Sequence, residues 1–404
     1  MFLLYDLVFL LYALIYLPYL LLTRRGYKGY FARFGIFLPQ VEKQIKAKAN
    51  IWVHAVSVGE VMVIDGIIDR LKEQYPSDQL IVTVTTKTGY ELARERLKDK
   101  ALVIASPIDL SFVTGRFVSL IKPKIYIAVE TEIWPNLYRQ LYLKKIPLAV
   151  INGRISDGSF GRYKAIRFLL KGILNQVSVW CMQSQRDAER IIELGAEPSR
   201  VKVTGNVKFD EYSLSLDPLP SNFVKGKDEL WWVAGSTHPG EEEIVLDVYS
   251  KIIKDDPKWR LLIAPRHIER APQIKEFVNR RGLKGVVVID TIGQLRSLYS
   301  LASLVFVGKS LCVGGGHNVI EPAFYGKAIV IGPKVENFRD IVACFKQGNA
   351  IVQVEDVPAF ERAVLDLCAD PLKRETLGNA ARKVIAANQG ATKRSLERLA
   401  EFIK

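Results

Sequence analysis

The chain has 404 residues, 49% of them hydrophobic and 25% charged, with a formal net charge of +14. That length predicts two domains, and so much apolar material without a low-complexity tract excludes a disordered chain. The positive excess asks for an anionic partner, but the basic residues are scattered without any aromatic-and-basic module, which argues against nucleic acid, and Cys181, Cys312, Cys344 and Cys368 lack the C-x-x-C spacing of a zinc site.

The first element is an apolar run from Leu7 to Leu22, preceded by more apolar residues and interrupted only by Asp6. Arg24, Arg25, Lys28 and Arg33 follow it, interleaved with Tyr27 and Tyr30. A cleaved leader needs a basic head and a small-residue cleavage site, and neither is present. A full span takes roughly 20 apolar residues, so the run is borderline, and Pro18 would kink it. The basic cluster predicts that the following domain stays on the cytoplasmic side, facing anionic membrane lipid. Residues 1–25 therefore read as a membrane-associating helix, spanning or interfacial; a buried core helix is the alternative.

Beyond it, strand-like runs alternate with helical patterns such as Val61–Gln74 and Gly89–Leu97. The runs are "IWVHAVS", "LIVTVTT", "ALVIAS", "KIYIAVE", "IPLAVING", "VSVWCMQ" and "VKVTGN". Near-continuous apolar strands between amphipathic helices predict a parallel sheet covered on both faces. The stretch "SLSLDPLPSNF" (213–223) breaks the pattern and reads as a linker. A second series follows: "LWWVAGS", "WRLLIAP", "GVVVID", "LVFVG", "AIVIGP" and "AIVQV". The expected architecture is α/β, with two doubly wound Rossmann-like domains (26–212 and 224–385) and a cleft between them. A C-terminal helix at 386–404 is expected to pack back on the first domain.

Ligands of such sheets bind beyond the carboxyl ends of the strands. The first half presents His54, Ser57 and Glu60 there, then Thr85 and Thr86, then Glu130, Thr131 and Glu132 in "VETEIWPN". Asn152, Arg154 and Ser156 follow, then Gln183, then Asn206 and Lys208. The second half presents Ser236, Thr237 and His238, then Arg266 and His267, then Asp290 and the loop "GKSLCVGGGHNVIEP". All four histidines of the chain fall at such ends.

Two readings compete at each motif. "SVGE" is a capping box in which Ser57 and Glu60 satisfy helix-end amides, or a place for proton transfer. "VETEIWPN" is a solvated turn before a helix starting near Trp134, or part of a site. "GGGHN" is a chain reversal, or an anion loop whose amides point at a ligand. Glu321, in the helix after it, is placed to accept hydrogen bonds from a ribose diol, and Arg266 to neutralise a phosphate. These features describe a nucleotide pocket in the second half. There is no G-x-G-x-x-G after the first strand, no Walker motif and no D-x-D, so neither metal nor cofactor is expected.

Behind the apolar N-terminus, the ordered set "HAVSVGE", "ETEIWPN", "NGRIS", "TGNVKFD", "GSTHPGEEE", "PRHIER" and "GGGHNVIEP" resembles the 3-deoxy-D-manno-octulosonic acid (Kdo) transferases of Gram-negative bacteria. The resemblance runs end to end and implies the GT-B glycosyltransferase fold. It implies an inverting transfer of Kdo from CMP-Kdo to a lipid A precursor, in lipopolysaccharide synthesis at the inner membrane's cytoplasmic face. Matched motif by motif, it implies Glu60 as general base, with Glu130 and Lys208 stabilising the transition state. It also implies that Arg266 and His267 contact CMP, that Ile292, Gly293 and Gln294 touch the nucleotide, and that Asn318, Val319, Ile320 and Glu321 hold its ribose and phosphate. The helix dipole is expected to keep Glu60 ionised near neutrality. The alternatives are a GT-B enzyme using a UDP-sugar and a non-catalytic membrane-surface relative. Intact Glu60, Glu130, Lys208 and Arg266 speak against the second.

Overall fold

Each strand-like run becomes a strand in the computed structural model, which describes residues 5–7, 9–11, 30–210, 219, 223, 226 and 228–403. Most of the expected linker at 213–223 and of the 1–25 segment lies outside the described residues. The chain divides into two compact units, one of Met1–Glu211 with Gly390–Lys404 and one of Tyr212–Gln389.

The first unit is built on β1 (Asn50–Ala55), β2 (Gln79–Val84), β3 (Leu102–Ala105), β4 (Pro123–Val129), β5 (Leu148–Gly153), β6 (Val179–Met182) and β7 (Val201–Val203). They form one parallel sheet in the order β3-β2-β1-β4-β5-β6-β7. The order reverses between β1 and β4, which makes that edge the topological switch point where such sheets take ligands. Every residue of β1 is buried, because helices cover both faces. Alternation along the strand sends Ile51, Val53 and Ala55 to one core, with the helix Val58–Gln74. Trp52 goes to the other, against Phe117 and Tyr126.

The helix Ala391–Ala400 belongs to this unit, adding Ala391, Leu396 and Leu399 to the first core. The Asp210 carboxylate accepts the Gly390 and Thr392 amides, each at 2.6 Å, and fixes the helix start. At the other terminus, Asp6 Oδ1 accepts from the Ser111 amide at 3.1 Å and from Asn136 Nδ2 at 2.7 Å. The one charge within the apolar N-terminus is thereby docked on the starts of the helices Ser111–Ile121 and Pro135–Leu143. Leu7 and Leu11 remain more than half exposed. No helix among the described residues is long and apolar enough to cross a membrane.

The second unit carries β8 (Leu230–Thr237), β9 (Trp259–Pro265), β10 (Val286–Val288), β11 (Leu304–Val307), β12 (Ala328–Ile331) and β13 (Val352–Gln353). Their order, β10-β9-β8-β11-β12-β13, is again parallel and reverses between β8 and β11. Trp232, Phe306 and Phe360 anchor its core. At its switch point the backbones meet closely: a Cβ on Gly308 would lie 2.5 Å from the Ser236 carbonyl oxygen, so no side chain fits there.

Candidate functional site

At the switch point of the first unit three carboxylates gather. Glu60 follows β1 and is buried in the first turn of the helix Val58–Gln74. Its Oε2 accepts the Val56 amide at 2.6 Å, and its Oε1 accepts the Ser57 hydroxyl at 3.1 Å. Burial pushes its pKa up to about 7, outweighing the Val56 hydrogen bond, and the like charges of Glu130 and Glu132 add to the rise. The dipole expectation is therefore corrected: Glu60 titrates near neutrality because desolvation wins. The capping expectation for Ser57 is corrected too. It stands at the N-cap with extended backbone, yet its oxygen accepts no helix amide and its hydroxyl serves Glu60.

Glu130 and Glu132 follow β4. Glu130 is half-buried and holds a left-handed backbone, φ 59°, while its amide still donates to the Ile151 carbonyl at 2.9 Å. Such a conformation is costly for a residue with a side chain and aims the carboxylate off the strand. Glu132, which no family motif marked for a role, is also pushed up to about 7, by burial and then by Glu130. Its carbonyl accepts the Tyr138 hydroxyl. The only signal for it in the sequence is the doubled glutamate of "ETE".

The structure brings Glu60, Glu130 and Glu132 together. Lys208 sits in the short helix Val207–Phe209 after β7, whose start is tied to Asn152 in β5, the strand beside β4. Its backbone is fixed by a relay along the sheet edge: Asn152 Oδ1 accepts the Val207 amide, and Asn206 Oδ1 accepts the Lys208 amide. Asn206 Nδ2 donates to Gln183 Oε1, and Gln183 Nε2 to the Asn152 carbonyl. His54, expected at a ligand-facing end, instead lies inside β1 on the Trp52 side. Its Nδ1 meets the Thr83 hydroxyl at 2.9 Å, and burial lowers its pKa to about 3.

In the second unit the switch point is basic. His238 follows β8, Arg266 and His267 follow β9, and Lys309 and His317 follow β11. The Arg266 amide donates to the Thr237 carbonyl at 3.0 Å, and Arg266 and His267 are both exposed at the strand end. His238 and His317 meet through their Nε2 atoms at 3.2 Å with ring planes 23° from parallel, and His267 lies edge-on to His238. Beneath them the buried Glu241 carboxylate accepts the amides of His238, Lys309, Ser310 and Leu311 at 2.8–3.0 Å. Glu130 at the first switch point, and Ser236 and Lys309 at the second, have positive φ.

Two amides of the glycine loop are taken up within the protein. The Gly315 amide donates to Glu336 Oε2 at 2.6 Å and the Gly316 amide to the Lys309 carbonyl at 2.8 Å. Its glycines serve a tight reversal, Gly315 at φ 117° and Gly316 at φ 70°. Asn318 Oδ1 accepts the Ile320 amide at 3.0 Å, and its Nδ2 reaches Glu321 Oε1 at 3.4 Å, while Val319 and Ile320 are buried. Glu321, in the first turn of the helix Ile320–Phe324, is half-buried. Ile292 is 83% exposed in the loop after β10, followed by Gly293 at φ 90° and Gln294, whose carbonyl accepts the Ser297 hydroxyl. Among the described residues no group of three or more His, Cys, Asp or Glu is arranged to hold a metal ion.

Residues 28–211 match the family model described as 3-deoxy-D-manno-octulosonic-acid transferase (kdotransferase), and residues 242–384 match glycosyl transferases group 1. A 3-deoxy-D-manno-octulosonic acid transferase of Haemophilus influenzae is 32% identical over 375 residues, covering 88% of this chain and 87% of that protein. A bifunctional glycosyltransferase/methyltransferase of Fusobacterium nucleatum is 35% identical over 352 residues. That match covers 81% of this chain, which spans about half (54%) of the bifunctional protein. In fold, the chain resembles the UDP-GlcNAc 2-epimerase of Neisseria meningitidis bound to UDP-GlcNAc, at TM-score 0.63 and 14% identity over 87% of this chain and 100% of that one.

Proposed function

This chain belongs to the Kdo transferase family and is a glycosyltransferase, and on that premise we propose that it moves Kdo from CMP-Kdo to a lipid A precursor at the cytoplasmic face of the inner membrane. The observation that carries the mechanism is Glu60, a buried carboxylate with its pKa near 7 at the switch point of the first unit. A general base works best when its pKa lies near the operating pH, and here burial and two neighbouring carboxylates supply that tuning.

In this reading Glu60 takes the proton of the acceptor hydroxyl as its oxygen bonds to the anomeric carbon of Kdo. The bond from that carbon to the phosphate oxygen breaks on the opposite side, and its electron pair leaves with CMP. The charge gained by the phosphate is met in the second unit by Arg266 and His267, with Glu321 and Asn318 oriented for the ribose. Glu130 and Lys208 complete the first unit's site, Glu130 by tuning Glu60 and Lys208 by supplying a cation for developing negative charge. The helix that carries Asp6, and the basic residues after it, provide the contact with anionic lipid.

The test is mass analysis of the lipid made by purified protein from CMP-Kdo and a lipid A precursor. The product is expected to be heavier by one or more Kdo units, with CMP inhibiting and UDP without effect. Protection by UDP and not by CMP would overturn the donor.

A further inference from the structure

Two histidines at the second switch point are left over by this reading. His238 and His317 come from the segments after β8 and β11, the two strands flanking the reversal. Their Nε2 atoms lie 3.2 Å apart, with ring centroids 5.4 Å apart and ring planes 23° from parallel. At that distance one nitrogen carries the hydrogen and the other offers its lone pair, so the two rings hold opposite tautomers. The pair has room for one further proton. An imidazolium can donate to the neutral ring through the same contact, whereas two imidazolium rings would set two N–H groups head to head.

The surroundings decide when that proton enters. His317 is held down to about 4, by burial first and then by Arg266, His238, Lys309 and His267. His238 is lowered by burial and by Lys309, His267 and Arg266, against the opposing pull of Glu241. Glu241 is already committed to five backbone amides beneath the pair. The groups facing the pair are thus cations and imidazoles on one side and one occupied carboxylate below. An anion arriving among Arg266, His267 and Lys309 reverses the balance, because it offsets the repulsion that keeps the pair neutral.

We infer that His238 and His317 form a proton-sharing seat for the anionic group of a phosphate-bearing ligand, so that binding this anion draws one proton onto the pair. The inference rests on the donor reading above and adds two residues to it, with a role in both affinity and leaving-group stabilisation. The gained positive charge stands where the departing phosphate accumulates negative charge.

The chain's four histidines make the experiment direct. Side-chain nitrogen NMR of the full-length protein follows each imidazole through a pH titration, alone, with CMP and with inorganic phosphate. His317→Asn and His238→Asn assign the signals, and thermal melting confirms that they fold. With saturating CMP, one midpoint of the pair is expected to rise by about one unit or more, as an opposite charge at contact distance produces. The pair's two signals should then report a single added proton, and His54 should stay unmoved. If CMP binds and neither midpoint moves, the seat is overturned while the donor reading stands. If CMP fails to bind but inorganic phosphate raises the midpoint, the seat stands and the donor reading falls. If neither anion moves the pair, the seat is overturned whatever binds.

Discussion

Ser57 donates its hydroxyl to Glu60 across 3.1 Å, reversing the role a capping serine would play. The serine shapes the carboxylate and leaves the helix amides alone. Substituting Glu60 therefore separates stability from chemistry. Its folded pKa is raised from 4.5 to about 7, so between those values the unfolded chain is ionised while the folded one keeps its proton. Stability then falls as pH rises through that window and levels off above it, a cost on the order of 3 kcal/mol at neutral pH. Glu60→Gln keeps an oxygen for the Val56 amide and has no charge to bury. The variant should melt at or above the wild-type temperature at neutral pH, with a flatter pH dependence, and lose roughly 10²–10⁴-fold in turnover. Near-normal Kdo transfer would remove Glu60 from the mechanism.

Glu130 and Glu132 both raise Glu60, Glu130 the more strongly. Removing either charge should lower the Glu60 pKa and move the ascending limb of the kcat/KM profile to lower pH. The shift should be larger for Glu130→Gln than for Glu132→Gln. If Glu130 also stabilises the transition state, its variant loses plateau rate as well, while Glu132→Gln keeps most of it. A pH profile of each variant distinguishes tuning from direct participation.

The frame of both units was legible because a strand buried on two faces must be a continuous apolar run, and the central strands among the described residues fall on such runs. The site was legible only in part. Glu132 escaped because its character comes from burial, which the letters "ETE" do not encode. The partner of the Gly315 amide in the glycine loop could not be read locally, because Glu336 lies 21 residues farther along the chain. His54 could have been placed by parity: it shares a face with Trp52 in a strand whose other residues alternate between cores. The fate of Ser57 depends on a rotamer choice that a motif cannot carry.

His54 makes an opposite prediction at acid pH. Its folded pKa is depressed from 6.5 to about 3 by burial, so its contribution to stability is complete above 6.5 and is lost as pH falls towards 3. Thr83 would keep the Trp52 indole as a donor at 2.9 Å if the ring were replaced by a hydrocarbon. His54→Phe should therefore lower the pH at which acid unfolding sets in, whatever it does to stability at neutral pH. An unchanged acid midpoint, read by circular dichroism, would show that another group governs that transition.

Asp6 decides what the N-terminal segment is for. In a purely membrane-anchoring helix its charge is a liability, and Asp6→Leu would extend the apolar run and improve retention. The structure gives the charge a purpose, since its carboxylate receives the Ser111 amide and the Asn136 side chain. Losing a charged acceptor and stranding two donors should cost about 1–3 kcal/mol. Asp6→Leu is thus expected to bind membranes at least as well as wild type while melting earlier, and Asp6→Asn, which keeps one acceptor oxygen, should fall between. Deleting residues 1–22 should release the protein from membranes and lower the stability of the first unit, yet leave CMP binding in the second unit intact. A truncated protein that melts like wild type would show that docking through Asp6 contributes nothing, and that the segment acts as an anchor alone.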